Sequence, residues 1–209
     1  MRNSKKIYLI GYSGHGRVLV DAVQSRNLKV EGYFQDTINH ENPFSLTYMG
    51  KESDCTDDFF PKSKFIIGIG NNLIRSKVFK FIKNKKGNIK TVIHSTASIS
   101  NLVETKEGCF VNTNAIVHTG AKIEQNTIIN SGAIVEHDCR IGAHAHIAPG
   151  VTLCGNVVVG DYTFIGAGAT VIEGVNIGSN VTVGAGSVVL RDIPDNVISV
   201  GVPSKIISK

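Results

Sequence analysis

The chain has 209 residues, enough for one medium domain or two small ones, and at 42% hydrophobic and 19% charged it has the balance of an ordinary globular protein. Its 22 Lys and Arg against 17 Asp and Glu leave a charge of +5, which favours a small anionic ligand about as much as nucleic acid. No apolar run approaches the roughly 18 residues that span a bilayer, the polar start Met1–Lys6 predicts no secretory leader, and Cys55, Cys109, Cys139 and Cys154 show neither CxxC nor zinc-ligand spacing. Secreted, membrane-spanning and disulfide-stapled readings are excluded, and a cytoplasmic chain with reduced thiols and no membrane or nucleic-acid partner is expected.

Residues 1–90 carry 16 Lys and Arg against 8 Asp and Glu and hold 11 of the 14 Phe and Tyr, whereas residues 91–209 carry 6 basic against 9 acidic residues. Two stretches so different predict two domains, 1–90 and 91–209. The first reads as α/β. Lys6–Ile10 is a short apolar strand, Gly11-Tyr-Ser-Gly14-His15-Gly16 a glycine turn, and Arg17–Ser25 a helix with Val18, Leu19, Ala22 and Val23 on one side. A second strand, Val30–Phe34, ends at Asp36; Phe65–Ile69 is a third, entering Gly70-Asn71-Asn72 and a basic helix over about 73–83. This succession predicts a small Rossmann-like parallel sheet with crossover helices. The Gly11–Gly16 turn suits a diphosphate at a helix N-terminus, and Asp36 stands where an acid would meet a ribose or base. The spacing is not the GxGxxG of dinucleotide folds, so a nicotinamide cofactor is not expected, and a plain tight turn with a solvated aspartate is the bland alternative.

The second domain is a repeat. Stepping by six from Ile93 to Val189 meets 17 positions, 16 of them aliphatic, and only Thr105 departs. Four residues after each of the first 16 comes a small or short-branched side chain, from Ala97 through Ala133 and Cys139 to Ser187. Glycine often follows the aliphatic, as at Gly142, Gly160 and Gly166. A hexapeptide period of this kind predicts a parallel β-helix in which three hexads close a triangular coil, the aliphatic pointing inward. The stretch around Thr105 is expected to be irregular, and the unbroken register predicts no long loop arm.

His137 lies in Glu136-His137-Asp138, two positions beyond the inward Val135, so its side chain projects outward. A carboxylate beside an imidazole fixes its tautomer and raises its basicity, which is what a general base requires. A surface histidine on a polar corner is the alternative on spacing alone. The residues stacked one coil from His137 are Thr119 and Gly155, neither a metal ligand, so no metal site is expected. His137 and His146 are nine residues apart, half of an 18-residue coil, so within one chain they face different sides.

The stretches Gly11–Gly16, Phe65-Ile-Ile-Gly-Ile-Gly-Asn-Asn-Leu-Ile-Arg75, Asn130-Ser-Gly-Ala-Ile-Val-Glu-His-Asp-Cys139 and Gly201-Val-Pro-Ser-Lys205 together resemble the hexapeptide-repeat acetyltransferases that modify nucleotide-linked sugars in bacterial surface-glycan and glycoprotein biosynthesis. Sialic-acid O-acetyltransferases are near kin. The resemblance covers almost the whole chain. It implies a left-handed β-helix, acetyl-CoA as donor, a homotrimer and an N-terminal domain that holds the nucleotide of an amino sugar, acetylated at C4. It also implies His137 as general base and Asp138 as the acid that orients it. His146, Asn130, Gly155, Ala167 and Ala185 fall where coenzyme A lies along the coils, His146 near the thioester. Ser13, Gly14, His15, Asp36, Gly70, Asn71, Asn72 and Arg75 match the nucleotide pocket. Relatives often carry a second acid where this chain has Gln35, and Pro-Ala-Lys where it has Pro203-Ser-Lys205. If His137 and His146 serve one site, they come from neighbouring chains. O-acetylation of a sialic acid, a noncatalytic binding subunit and a Cys139 nucleophile are the competing readings.

Overall fold

A computed structural model describes residues 5–208. Contacts divide the chain into two units, residues 1–95 and 96–209. The first unit is built on β1 (Ile7–Ile10), α1 (Gly14–Gln24), β2 (Val30–Phe34), β3 (Thr47–Tyr48), α2 (Phe59–Lys62), β4 (Lys64–Ile67), α3 (Asn72–Asn84) and β5 (Asn88–Ile89). The strands form one parallel sheet in the order β3-β2-β1-β4-β5. That is the doubly wound arrangement, with β1 at the point where the strand order reverses. Alternation along the strands supplies two apolar faces. Tyr8, Ile10, Phe34, Phe65 and Ile67 pack with Phe60, Phe79 and Ile82, and Phe60 stacks on Phe65 at 5.4 Å between ring centroids. Leu9, Tyr33 and Ile66, equally buried, point the other way. Compared with the sequence reading, β3 and β5 are additions; each is two residues long, too short for periodicity to register.

The second unit is a left-handed parallel β-helix of two-residue strands separated by turns. Its three faces are ladders in which strands up to Val189 pair in parallel with the strand 18 residues on, as Val117 with Val135 and Val135 with Leu153. The third face closes with Ile198–Val200, 16 residues beyond Thr182–Val183, and the antiparallel Lys205–Ser208. The first face runs from Ser98–Ile99 to Val188–Val189, the second from Glu104–Thr105 to Asn176–Ile177, and the third includes Ile128–Ile129, His146–Ile147 and Phe164–Ile165. The second residue of each strand fills the prism: Val135, Ile147, Leu153, Ile165 and Val171 have no exposed surface. The small residue turns the corner, and where it carries a polar atom that atom is satisfied. Thr127 and Thr163 donate their hydroxyls to the carbonyls of Gly142 and Gly178 at 2.8 and 2.7 Å. The thiols of Cys109 and Cys139 donate in the same way to Glu124 and Cys154 at 3.1 and 3.2 Å. These two cysteines are therefore corner residues of the prism, and burial pushes both thiols up to about 11.

The irregularity expected at Thr105 does not occur: Glu104–Thr105 pairs in register with Lys122–Ile123. That strand is the first of its face and both residues are exposed, so no interior position there demands an aliphatic side chain. No helix among the described residues is long and apolar enough to cross a membrane.

The interior column sets the stability of the second unit. Leu153→Ala removes a fully buried side chain and is expected to cost about 2–5 kcal/mol, whereas the exposed Leu102→Ala costs about 0.5 kcal/mol or less. Urea unfolding midpoints of the two variants measure the difference.

Candidate active site

The corner between the first and second faces carries Glu136, His137 and Asp138, because Ile134–Val135 ends on one face and Arg140–Ile141 begins the next. Asp138 has φ +61°, in the left-handed region shared by Gly120, Asn156 and Gly174 in the same column, a region that Asp tolerates better than most residues. Its Oδ2 lies 3.0 Å from His137 Nδ1. Nδ1 is therefore the nitrogen that donates to the carboxylate, and Nε2 is the ring nitrogen left facing outward. Both side chains are more than half exposed.

Gly155, one coil further along the same corner, is the floor of the imidazole: a Cβ there would come within 2.6 Å of both Cε1 and Nε2. The backbone above and below is fixed, since Asn156 N–H donates to His137 O at 2.9 Å and Gly174 N–H to Gly155 O at 3.0 Å. None of these ladder bonds uses the Gly155 N–H. In the adjoining column His118 Nε2 stands 3.8 Å from Glu136 Oε1, a second imidazole–carboxylate pair on this corner.

His146 occupies the third face, across the prism from the His137 corner, in keeping with their half-coil spacing. It is 8% exposed, its Nε2 faces the Asn130 amide at 3.1 Å, and its ring meets Phe164 edge-on at 5.2 Å. Asn130 is oriented in turn by accepting from Asn112 Nδ2 at 2.9 Å and from the Ser131 N–H at 2.8 Å. The structure thus brings Asn130 and His146 together and sets both apart from His137 within one chain. Asn112, fully buried, was missed by sequence reasoning; its only signal was an asparagine one coil before Asn130. Ala167 and Ala185 lie one coil apart at the turns leading from the third face to the first. Cys139 is buried with its thiol raised, so it has neither the exposure nor the thiolate of a nucleophile. Among the described residues, no group of three His, Cys, Asp or Glu is placed to hold a metal ion.

In the first unit the turns after β1 and β4 lie side by side at the switch point of the sheet. Gly68 N–H donates to Ile10 O at 2.8 Å, and a Cβ on Gly16 or Gly68 would collide with Gly11 O. By contrast, nothing lies within 4 Å of where a Cβ would stand on Gly14 or Gly70, so backbone is open to a ligand at both turns. Ser13 is the N-cap of α1 and makes no side-chain cap bond. Asn71 caps α3 by accepting from Ile74 N–H at 3.0 Å.

Arg75, which the resemblance matches to the nucleotide pocket, lies buried behind the Gly70–Asn72 turn. It is 1% exposed and donates to the carbonyls of Ile69 and Gly70 at 3.3 and 2.8 Å and to Asn72 Oδ1 at 3.0 Å. It shapes the Gly70–Asn72 turn from behind. Its charge, added to burial as the larger cause, lowers the His15 imidazole to about 4. Asp36 is exposed and pairs with Lys51 at 3.3 Å, while the neighbouring Gln35 accepts from the Tyr12 N–H at 2.9 Å and so ties the glycine turn to the end of β2.

The chain thus carries an outward imidazole–carboxylate pair on a hexapeptide prism and, in its other unit, open glycine turns on a parallel α/β sheet. Residues 6–82 match the model described as PglD N-terminal domain, and residues 120–155 and 156–191 match the bacterial transferase hexapeptide (six repeats) model. The chain is 32% identical to PerB from Caulobacter crescentus, solved in complex with CoA and GDP-perosamine, over 98% of both chains with a TM-score of 0.90. It is 29% identical to the acetyltransferase domain of PglB from Neisseria gonorrhoeae, over 97% of this chain and 100% of that one, with a TM-score of 0.91. WeeI from Acinetobacter baumannii follows at 25% identity, with 98% and 100% coverage and a TM-score of 0.85. The protein belongs to the hexapeptide-repeat sugar N-acetyltransferases.

Two outcomes follow. Gly155→Ala pushes the imidazole off its floor and is expected to lower kcat by about tenfold or more with little change in thermal midpoint, checked by steady-state kinetics beside a melting curve. His15, neutral in the fold with its pKa near 4 against about 6.5 unfolded, contributes stability that is fully present above pH 6.5 and lost as pH falls towards 4. His15→Gln should flatten that part of the pH–stability curve, read by urea unfolding across the range.

Proposed function

We propose that this chain transfers the acetyl group of acetyl-CoA to the C4 amino group of a nucleotide-linked amino-dideoxy sugar, with His137 as general base. The observation that carries the proposal is the 3.0 Å contact between His137 Nδ1 and Asp138 Oδ2, which leaves Nε2 facing outward as the proton acceptor. The related PerB was solved with CoA and GDP-perosamine, and a histidine-to-alanine mutant of the same GDP-perosamine N-acetyltransferase with both ligands.

In the proposed reaction the sugar amine attacks the thioester carbonyl and forms the new N–C bond as its proton passes to His137 Nε2. The tetrahedral oxyanion takes a hydrogen bond from the Gly155 N–H. Collapse breaks the C–S bond, and the coenzyme A thiolate takes the proton back from the imidazolium. Asp138 holds the ring and its charge throughout. No covalent enzyme intermediate forms. The first unit holds the nucleotide, its diphosphate at the open turns around Gly14 and Gly70.

The working form is a homotrimer. A prism without loop arms gives His137 no walls, whereas three prisms packed side by side create a cleft at each pair of chains. In such a cleft His137 of one chain meets Asn130 and His146 of its neighbour. Sialic-acid O-acetylation uses the same base; the open glycine turns of the first unit favour the nucleotide sugar.

A thiol-release screen with acetyl-CoA against a panel of amino-sugar nucleotides tests the activity, and coenzyme A release with none of them would refute it. His137→Ala is expected to lower kcat by roughly 10²–10⁴-fold with coenzyme A affinity nearly unchanged, and Asp138→Asn to cost less. Near-full kcat in His137→Ala would return the residue to a surface role. Reassembling His137→Ala with His146→Ala chains should regain some activity if the sites are composite, and none if the two residues serve a site within one chain.

A further inference from the structure

Asp138 reaches His137 with one carboxylate oxygen, so the surroundings of the other oxygen decide whether that contact holds. Oδ1 lies over Gly120, the residue one coil earlier in the same corner column. A Cβ on Gly120 would collide with Oδ1 and approach Cγ to 3.3 Å and the Asp138 nitrogen to 3.5 Å. The two corners cannot slide apart, because the Asp138 N–H donates to Thr119 O at 3.1 Å. What can give is the carboxylate, which is 59% exposed and free to swing towards solvent. A side chain at position 120 is therefore tolerated by the fold and paid for by the 3.0 Å contact to Nδ1.

The backbone alone does not account for a glycine here. Gly120, Asp138, Asn156 and Gly174 form one column with φ of +75°, +61°, +60° and +73°. Asn156 shows that an asparagine sits in this corner without help from a bare Cα. What distinguishes Gly120 from Gly174 is its neighbour: nothing lies within 4 Å of where a Cβ on Gly174 would stand.

We propose that Gly120 is a positioning residue for acetyl transfer, the seat on which the Asp138 carboxylate rests so that it can hold His137 Nδ1. The proposal rests on the reading of His137 and Asp138 as the catalytic dyad. It extends that reading to a residue that touches neither substrate nor imidazole.

The test compares Gly120→Asn with Gly174→Asn in the full chain, since asparagine accepts the left-handed backbone and each variant adds the same side chain. Two readouts are taken: kcat with acetyl-CoA and an amino-sugar nucleotide the enzyme turns over, and the ring ¹⁵N and Nδ1–H signals of His137 by NMR. Gly120→Asn is expected to lower kcat by roughly 10–10²-fold, matching Asp138→Ala, with KM for acetyl-CoA unchanged and the Nδ1–H signal lost or shifted. Combining Gly120→Asn with Asp138→Ala should add no further loss, because both remove the same contact. Gly174→Asn should change neither readout. Should Gly120→Asn fail to fold, Gly120→Ala carries the same comparison, as its lone methyl already meets Oδ1. Unaltered His137 signals, or losses that multiply in the double variant, would overturn the seat. If His137→Ala itself keeps full activity, the dyad reading fails, and the NMR signals alone then decide whether Gly120 seats Asp138.

Discussion

One constraint places the side chains of the coils up to Val189: each strand hydrogen-bonds to the strand 18 residues before it, in register and in parallel. The ladder leaves no freedom to slip, because a one-residue shift would turn Val135, Leu153 and Val171 out of the prism and bring their polar neighbours in. The apolar interior and the backbone ladder thus enforce one another. The corners inherit this precision. A residue at a given corner finds its counterparts one coil above and below, and their size decides how its side chain lies.

The dyad is a consequence of that stacking. His137 and Asp138 are exposed polar residues on a turn, and in an ordinary loop such side chains sample many rotamers. Here the corner is held by ladder bonds on both sides, and two glycines, one coil away in opposite directions, take the imidazole and the carboxylate against bare backbone. Preorganisation of this sort is what general-base catalysis needs: a fixed tautomer, a fixed ring plane and a lone pair aimed at one place. In the proposed reaction the rigid scaffold supplies it with exposed residues, at little burial of charge. The switch point of the α/β unit follows another logic, with buried Arg75 and close-packed Gly11, Gly16 and Gly68 shaping two turns whose outer glycines stay open.

The prism was legible in the sequence because its period is written once per hexad, and a single exception in 17 positions cannot hide it. Thr105 misled, since a polar residue at an interior position usually signals a break, yet at the edge of a face the backbone pairs without an aliphatic beneath it. The outward direction of His137 and the opposite facing of His146 followed from counting residues. What could not be counted was contact between coils. That Gly155 lies under the ring, that Gly120 lies under the carboxylate and that Asn112 orients Asn130 depend on side-chain direction as well as on register. Arg75 shows the converse limit: the resemblance places it in the nucleotide pocket, and only the structure reveals that it is buried and donates to the carbonyls of Ile69 and Gly70 and to Asn72. The two-residue strands β3 and β5 carried no period at all.

The proposed reaction turns on Nε2 of His137 as the acceptor of the amine proton, and a crystal structure with coenzyme A and an amino-sugar nucleotide tests it most directly. The sugar amine nitrogen is expected within about 2.6–3.2 Å of His137 Nε2, with Nδ1 still on Asp138 and the ring still over Gly155. An amine held elsewhere, with His137 Nε2 facing solvent or bonded only to protein, would contradict it.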